Sequence, residues 1–231
     1  HDKPFFSLDM DCIREIYRTG IPAACENVFW QLAAMLLSKI ILLYGSTHFA
    51  AYQLGLQAET ICEMPGIGFT TASTTLTARA IGERDDRLFR TYFHQMNRFS
   101  LYTGIFTSLL LFCFPSLFMQ FLTDKPDIQQ LGITYVFIMG FTPIPQDMNK
   151  VYNGTMRSSG YRKMPMIISF VGIWLVRVPL AFLFGWILHA DIRLIWCAIA
   201  LDQIVRLILS FTIFKRKKVI DTVASLPPLA K

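Results

Sequence analysis

The chain has 231 residues, 53% of them hydrophobic and only 16% charged, below the quarter or so charged residues usual in a soluble domain. With 20 Phe and a mean hydropathy of +0.43, it reads as an integral membrane protein. Its net charge of +6 does not indicate a nucleic-acid partner, because the basic residues cluster between apolar runs, as in cytoplasmic loops.

Residues 1–18 are amphipathic. Ile13, Ile16 and Tyr17 fall at helical spacing with Arg14 and Arg18 between them, which predicts a short cytoplasmic lead-in helix at the interface. Residues 19–217 then hold six apolar spans, at about 20–44, 49–81, 99–122, 128–157, 164–188 and 194–214, and a cytoplasmic tail follows over 218–231. The first span opens on Gly20-Ile21-Pro22, with Pro expected in a first helical turn, and Lys39 near its far end can snorkel to the headgroups. The second is long and polar for a span, and Gly66 and Gly68 permit close helix contact. The third, rich in Leu and Phe without a charge, is long enough to cross a hydrocarbon core that needs about 20 residues.

The fourth span contains Pro143, Pro145, Asp147 and Lys150. Two missing backbone donors predict a kink near Thr142, and the carbonyls they free must face protein or a wet cavity. The fifth holds one charge, Arg177. The sixth carries Asp202 and Arg206 at i, i+4, and runs into Lys215-Arg216-Lys217-Lys218. Arg84, Arg87, Arg90, Arg162 and Lys163 fall in loops on the same side as Lys215 to Lys218, whereas the opposite turns carry only Lys125 and Arg193. Six spans with both ends cytoplasmic satisfy this asymmetry at every loop.

Cys12, Cys25, Cys62, Cys113 and Cys197 are scattered, and no C-x-x-C pair occurs. Neither a disulfide framework nor a metal site is expected; the thiols read as small hydrophobes. The Gly66-x-Gly68 pair lacks the lysine of a phosphate-binding loop and lies inside a span. The chain begins at His1 without a cleavable signal pattern, and we expect it to be part of a longer protein.

Several stretches resemble the multidrug and toxic compound extrusion (MATE) transporters. Ala50-Ala51-Tyr52-Gln53, then Glu59 and Met64-Pro65-Gly66-Ile67-Gly68-Phe69, is similar to that family's A-A-x-Q…E…M-P-G-x-G-F. Gly154-Thr155-Met156-Arg157 with Pro165-Met166, Arg177-Val178-Pro179-Leu180-Ala181, and Asp202 with Arg206 resemble later motifs of its C-terminal lobe, in order. The chain departs from the pattern at Ala78-Arg79, where a Gly-Gln pair is usual, at Tyr161, where an Asp is usual, and at Glu63, where an apolar residue is common. The resemblance implies an all-α integral membrane protein, a six-transmembrane-helix bundle forming one lobe of a two-lobed transporter. It further implies a cation-coupled antiporter, driven by protons or sodium, that exports organic and chiefly cationic drugs or metabolites from the inner (plasma) membrane. It implies no enzymatic activity, no cofactor beyond the coupling ion, and three partners: the missing N-terminal six-helix lobe, membrane lipid and a small organic substrate. Two other readings stay open at this point, a lipid-linked oligosaccharide flippase and a non-transporting scaffold or truncated product. An ATP-driven exporter is disfavoured, since the sequence has no nucleotide-binding segment.

An ionised group at mid-membrane costs at least about 2.5–3.5 kcal/mol, so each one is either functional or paired. Asp202 and Arg206 are expected to pair within one turn, and Arg177 to anchor carbonyls or a carboxylate; with Arg157 these form the structural charged set. Glu26, Gln53, Glu59 and Asp147 are the candidate cation- or substrate-binding residues, with Glu59 foremost and Gln57 and Thr60 as further oxygen ligands. Asp147 has Lys150 at i+3 as an internal partner. In many relatives the acid falls one residue earlier, where Gln146 stands here. Tyr44, Tyr52, Phe69, Tyr135, Phe141 and Tyr152 could face flat cations, though lipid-facing packing accounts for most of them.

Overall fold

The computed structural model describes residues 10–188 and 191–221, with the side chains of residues 10–16, 18, 19 and 23 left out. The predicted lead-in therefore lies largely outside the described residues, as does the tail from 222. Among the described residues every regular element is helical, and the chain is an all-α, multi-pass membrane protein.

Helix α1 runs unbroken over Met10–Leu42. Residues 10–18 of the predicted lead-in are thus continuous with the first span at the backbone level, and Pro22 lies inside this helix rather than in a first turn. A Gly45 turn leads to α2, Ser46–Gly82. Its buried face is made of small and hydroxyl residues, among them Ala51, Gly55, Ala58, Gly66, Ser73, Thr77 and Ala80. Small residues let α6 approach, and the hydroxyls meet it across the seam: Thr77 bonds Ser158 at 2.6 Å, and Thr74 Oγ1, whose proton serves the Thr70 carbonyl at 2.6 Å, lies 3.2 Å from the Gly154 carbonyl. Gly66 meets α6 in this seam, whereas Gly68 has open space beside it, so only the first of the two glycines serves close packing there.

Helix α3, Asp86–Cys113, starts on an Asp85 cap that accepts from the Leu88 amide at 2.9 Å. At this elbow Arg90 bonds Asp86 and Asp221, each at 2.7 Å, and the two carboxylates raise its pKa. The third span, predicted over 99–122 as a single helix, is broken instead. Helix α4, Pro115–Leu122, leaves the α3 axis by 71°. Pro115 cannot donate to the Leu111 carbonyl and disfavours helical backbone at Phe114, whose φ of -125° and ψ of 34° end α3.

The fourth span is likewise two helices, α5 (Pro126–Met139) and α6 (Pro143–Ser158), with the break at residues 140–142. Gly104 of α3 holds this break in place. A Cβ there would come within 2.8 Å of the Ile144 backbone, so α3 can lie directly on the first turn of α6.

The fifth span is a continuous helix over Met164–Ile187. It consists of α7 (Met164–Phe170), a π-helical turn at Val171–Arg177, α8 (Val178–Phe182) and a second π turn at Leu183–Ile187. The first π turn lies where Pro179 deprives Leu175 of its donor, and wide turns re-satisfy such ladders. Helix α9, Ile192–Arg216, completes the bundle.

By length and apolarity alone, the residues 20–42, 164–187 and 192–216 qualify as membrane-crossing helices, with α3–α4 a fourth if the bent pair is one span. Helix α2 and the α5–α6 pair, predicted as the second and fourth spans, carry too many polar residues to qualify. Many of those polar residues turn inward, among them Ser73 and Thr77 of α2 and Asp147, Asn149, Asn153 and Thr155 of α6. One apolar core joins Leu37 and Ile41 of α1 to Ala58, Leu111, Met119, Tyr135 and Trp196; a second joins Phe93, Tyr152, Met156, Ile168 and Phe214.

Candidate functional site

Between these cores lies a cavity of about 410 Å³. Its walls come from α1, α2, α5, α6, α7, the first π turn and α9, and its lining includes Glu26, Glu59, Glu63, Lys150, Arg157, Arg177 and Arg206. Its size is within the range of small-molecule sites.

Glu59 is placed by a chain of packing. Tyr135 of α5 is fully buried against Tyr52 and Trp196, edge-on to both rings at 5.6 and 5.4 Å. Gly55 is the surface against which its ring lies. So fixed, the Tyr135 hydroxyl donates to Glu59 Oε2 at 3.2 Å. Gln146 enters from the first turn of α6, just past the break, and its Nε2 donates to Glu59 Oε1 at 3.1 Å. Thr142 Oγ1 also lies 3.5 Å from Oε1, but its single proton serves the Met139 carbonyl at 2.8 Å. Glu59 therefore has one donor on each oxygen and spare acceptor capacity on both. Among the described residues, no Lys or Arg lies within ion-pair reach of it.

Every other acid of the site is paired. Glu26 accepts from Arg157 Nη2 at 2.7 Å and from Ser169 Oγ at 2.8 Å. The sequence assigned no neutralising partner to Glu26, and Arg157, read as an elbow residue, supplies it from 131 positions away. Lys150 Nζ sits 2.5 Å from Glu63 Oε1 and 3.2 Å from Asp147 Oδ1. A side chain at Gly66 would displace both the ammonium and the Asp147 carboxylate, so the glycine permits this three-residue contact between α2 and α6. Asp147 is buried in that contact and does not line the cavity; Gln146, one residue earlier, does. The offset of about 100° per residue on a helix thus turns the acid away from Glu59 and the amide toward it.

Opposite α2, Asp202 is wholly buried under two guanidiniums. Arg206 binds it at both oxygens, 3.1 and 2.6 Å, and Arg177 Nη2 reaches Oδ2 at 2.9 Å. The predicted Asp202–Arg206 pair is therefore a triad, and the π turn that ends at Arg177 carries its third member. Gln53 lines the cavity near Glu59, as does Thr60, whose hydroxyl is used by the Leu56 carbonyl at 2.8 Å. Gln57 is exposed and lies off the cavity.

Of the aromatic residues singled out, Tyr52 and Tyr135 line the cavity and the other four do not. Sequence reasoning missed Trp30, Asn149, Asn153 and Gln203 among the lining residues, and named Glu63 without assigning it a role. A signal for some was present: Glu26 and Trp30 are one turn apart, and Gln146, Asn149 and Asn153 make a polar stripe at helical spacing. The cysteines described, Cys25, Cys62, Cys113 and Cys197, are free thiols. Among the described residues no group of three or more His, Cys, Asp or Glu could hold a metal ion.

A broken, polar-lined helical bundle around a charged cavity is the architecture of a membrane transporter lobe. The chain belongs to the MatE family, whose model matches residues 22–183. The "Probable multidrug resistance protein NorM" of Thermotoga maritima is 28% identical over 87% of this chain and 43% of its own length. The "Uncharacterized transporter YisQ" of Bacillus subtilis is 23% identical over 90% of the chain and 46% of its own. Among solved structures, an outward-facing multidrug resistance MATE transporter of the MOP superfamily superposes with a TM-score of 0.85 at 16% identity, covering 97% of this chain and 50% of the other. A MOP superfamily transporter from Pyrococcus furiosus, described as having a binding pocket of reverse polarity, gives 0.85 at 17% identity over 94% and 49%. The chain thus spans about half the length of the relatives it matches, and family members are transporters, not enzymes.

Proposed function

We propose that this chain is the C-terminal half of a cation-coupled antiporter that exports organic, chiefly cationic, compounds. A second six-helix lobe, N-terminal in the same polypeptide or on a partner chain, closes the other side of the cavity. The six predicted spans lie in the plasma (inner) membrane, among lipid, with both ends cytoplasmic.

The observation that carries this reading is the contrast between Glu59 and the other acids. A bare carboxylate in low dielectric is costly. Glu26, Glu63, Asp147 and Asp202 each meet a cation, while Glu59 meets only two neutral donors. Glu59 is thereby suited to take up a proton or a sodium ion from solution. Sodium would find further oxygens at Gln53 and Gln146, in keeping with a hard cation's preference. Either cation, by neutralising Glu59, changes which packing of α2 against α5 and α6 is favoured, and that differential affinity is what a coupled switch requires. Glu26 and Asp147 support this geometry through their pairs.

The test is ion-gradient-driven substrate flux by the full-length protein in proteoliposomes, with melting temperature as the folding control. Glu59→Gln mimics the neutral acid. It keeps an acceptor for one donor, and Gln146 can turn its amide to meet the new one, so stability falls by about 1 kcal/mol or less. Coupled flux falls to the uncoupled background. Wild-type coupled flux in Glu59→Gln would make Glu59 structural and pass the role to the other lobe.

A further inference from the structure

Of the Lys and Arg residues inside the predicted spans, Arg79, Lys150, Arg157, Arg177 and Arg206 each meet a carboxylate. Lys39 does not. It is exposed, and among the described residues it has no ion pair or hydrogen bond. A charged side chain in a span is paired, functional or drawn to the headgroups. Lys39 stands one turn before the end of α1 at Leu42, about 4.5 Å along the axis.

Lys39 also borders a groove. Helix α1 and the fifth span run side by side at this end of the bundle: a Cβ at Gly185 would collide with Ile40 Cγ2, and the Tyr44 hydroxyl donates to the Phe184 carbonyl at 3.4 Å. Beside that contact the two helices leave a groove of about 610 Å³, walled by Leu36 and Leu43 of α1 and by Val178, Phe182 and Trp186 of the fifth span. Apart from Lys39 its lining is apolar or aromatic, and it shares no lining residue with the central cavity. Trp186 is 56% exposed and stands one residue before the end of its span, the level at which membrane tryptophans meet headgroups.

We propose that this groove binds an anionic phospholipid, its phosphate on the Lys39 ammonium and one acyl chain between α1 and the fifth span. The proposal needs only the membrane location of the chain, not the transport reading. An apolar groove accepts any acyl chain, so the chain supplies occupancy and Lys39 supplies the choice of headgroup. The ammonium is a point charge on a flexible stem, which can follow a phosphate at the interface while its methylenes cover the rim of the groove. A zwitterionic lipid brings its own ammonium to its phosphate and leaves Lys39 uncompensated. A lipid so seated bridges α1 and the second π turn.

The test uses the full-length protein in phosphatidylcholine nanodiscs that contain a trace of phosphatidylglycerol or phosphatidylcholine with a photoreactive diazirine on one acyl chain. After illumination, mass spectrometry reads the labelling of residues 36–43 and 178–186, with the exposed Phe106 and Leu109 of α3 as the control surface. One Lys near a membrane surface favours an anionic lipid by about fivefold. The phosphatidylglycerol probe therefore labels the groove about fivefold more than the phosphatidylcholine probe, and the control surface equally. Lys39→Met brings the ratio in the groove down to that of the control surface, and Lys39→Arg, which keeps the charge, keeps the preference. Equal labelling of the wild-type groove by the two probes overturns the proposal, as does a preference that survives Lys39→Met or is lost equally in Lys39→Arg. A groove that neither probe labels overturns it too, the result expected where the other lobe or a second copy of the chain covers this face. None of these outcomes touches the transport reading, which stands or falls on ion-driven flux in Glu59→Gln.

Discussion

Asp202→Asn isolates the energetics of the arginine triad. The carboxylate accepts two hydrogen bonds from Arg206, forms an ion pair with Arg177 at 2.9 Å, and is wholly excluded from solvent. At roughly 1.5–3 kcal/mol per charge-assisted bond, the two bonds from Arg206 alone represent a gross loss of about 3–6 kcal/mol. Asparagine keeps one oxygen acceptor, and the guanidiniums can move toward the cavity, which brings the expected cost to the 3–5 kcal/mol typical of removing one partner from a buried pair. Most of that cost is two unpaired cations held side by side, not the lost bonds themselves. Arg206→Met should therefore cost much less, about 1–2 kcal/mol, because it leaves a neutral Arg177–Asp202 pair and loses chiefly the contact of its stem with Gly172. Thermal unfolding of the full-length protein in nanodiscs, followed by tryptophan fluorescence, reads both. For a unit of this size each kcal/mol moves the midpoint by about 2–4 °C, so Asp202→Asn falls by roughly 6–20 °C. Equal shifts for the two variants would refute the charge accounting of the triad.

Two further outcomes are expected. In a background lacking the native cysteines, single cysteines at Ser46 and Asp191 react with impermeant thiol reagents from outside intact cells and one at Asp86 does not; labelling at Asp86 would reject six spans with both ends inside. On the proposed two-lobe reading, cells expressing only residues 1–231 show the drug tolerance of the empty vector, and robust tolerance would mean that two copies of this chain assemble a cavity.

The sequence carried the architecture because hydrocarbon imposes it. Long apolar runs, basic loops and costly polar residues at fixed places, such as Glu59 and Asp202, have few alternative explanations. It carried the i, i+4 pair Asp202–Arg206 for the same local reason. Partners brought together by tertiary structure were not legible: Arg157 reaches Glu26 and Lys150 reaches Glu63 across different helices. Breaks were legible only where the polar signal was dense. Pro143 and Pro145 announced one, but Pro115 was hidden among Leu and Phe, although its missing donor acts in the same way. The π turns had only Pro179 as a sign, and nothing in side-chain patterning distinguishes a wide turn from a regular one.

The irregularities and the charges of this lobe coincide, and the coincidence has a physical cause. Gln146 stands one turn beyond the α5–α6 break, Arg177 ends the first π turn, and Gly66 follows Pro65, which leaves the Ile61 carbonyl without its helical donor. In a membrane, such backbone groups persist only where protein or a wet cavity meets them. Ionised side chains are confined to the same places for the same reason. The two walls are nevertheless built differently. Asp202 is over-bonded, held by three contacts among buried neighbours, so the α9 wall is fixed. Glu59 has two neutral donors, one from each side of a helix break, so the α2 wall answers to whatever cation arrives. A carboxylate poised between α5 and α6 can bias the angle at their break by changing its charge, and no other acid in the cavity is left free to do so.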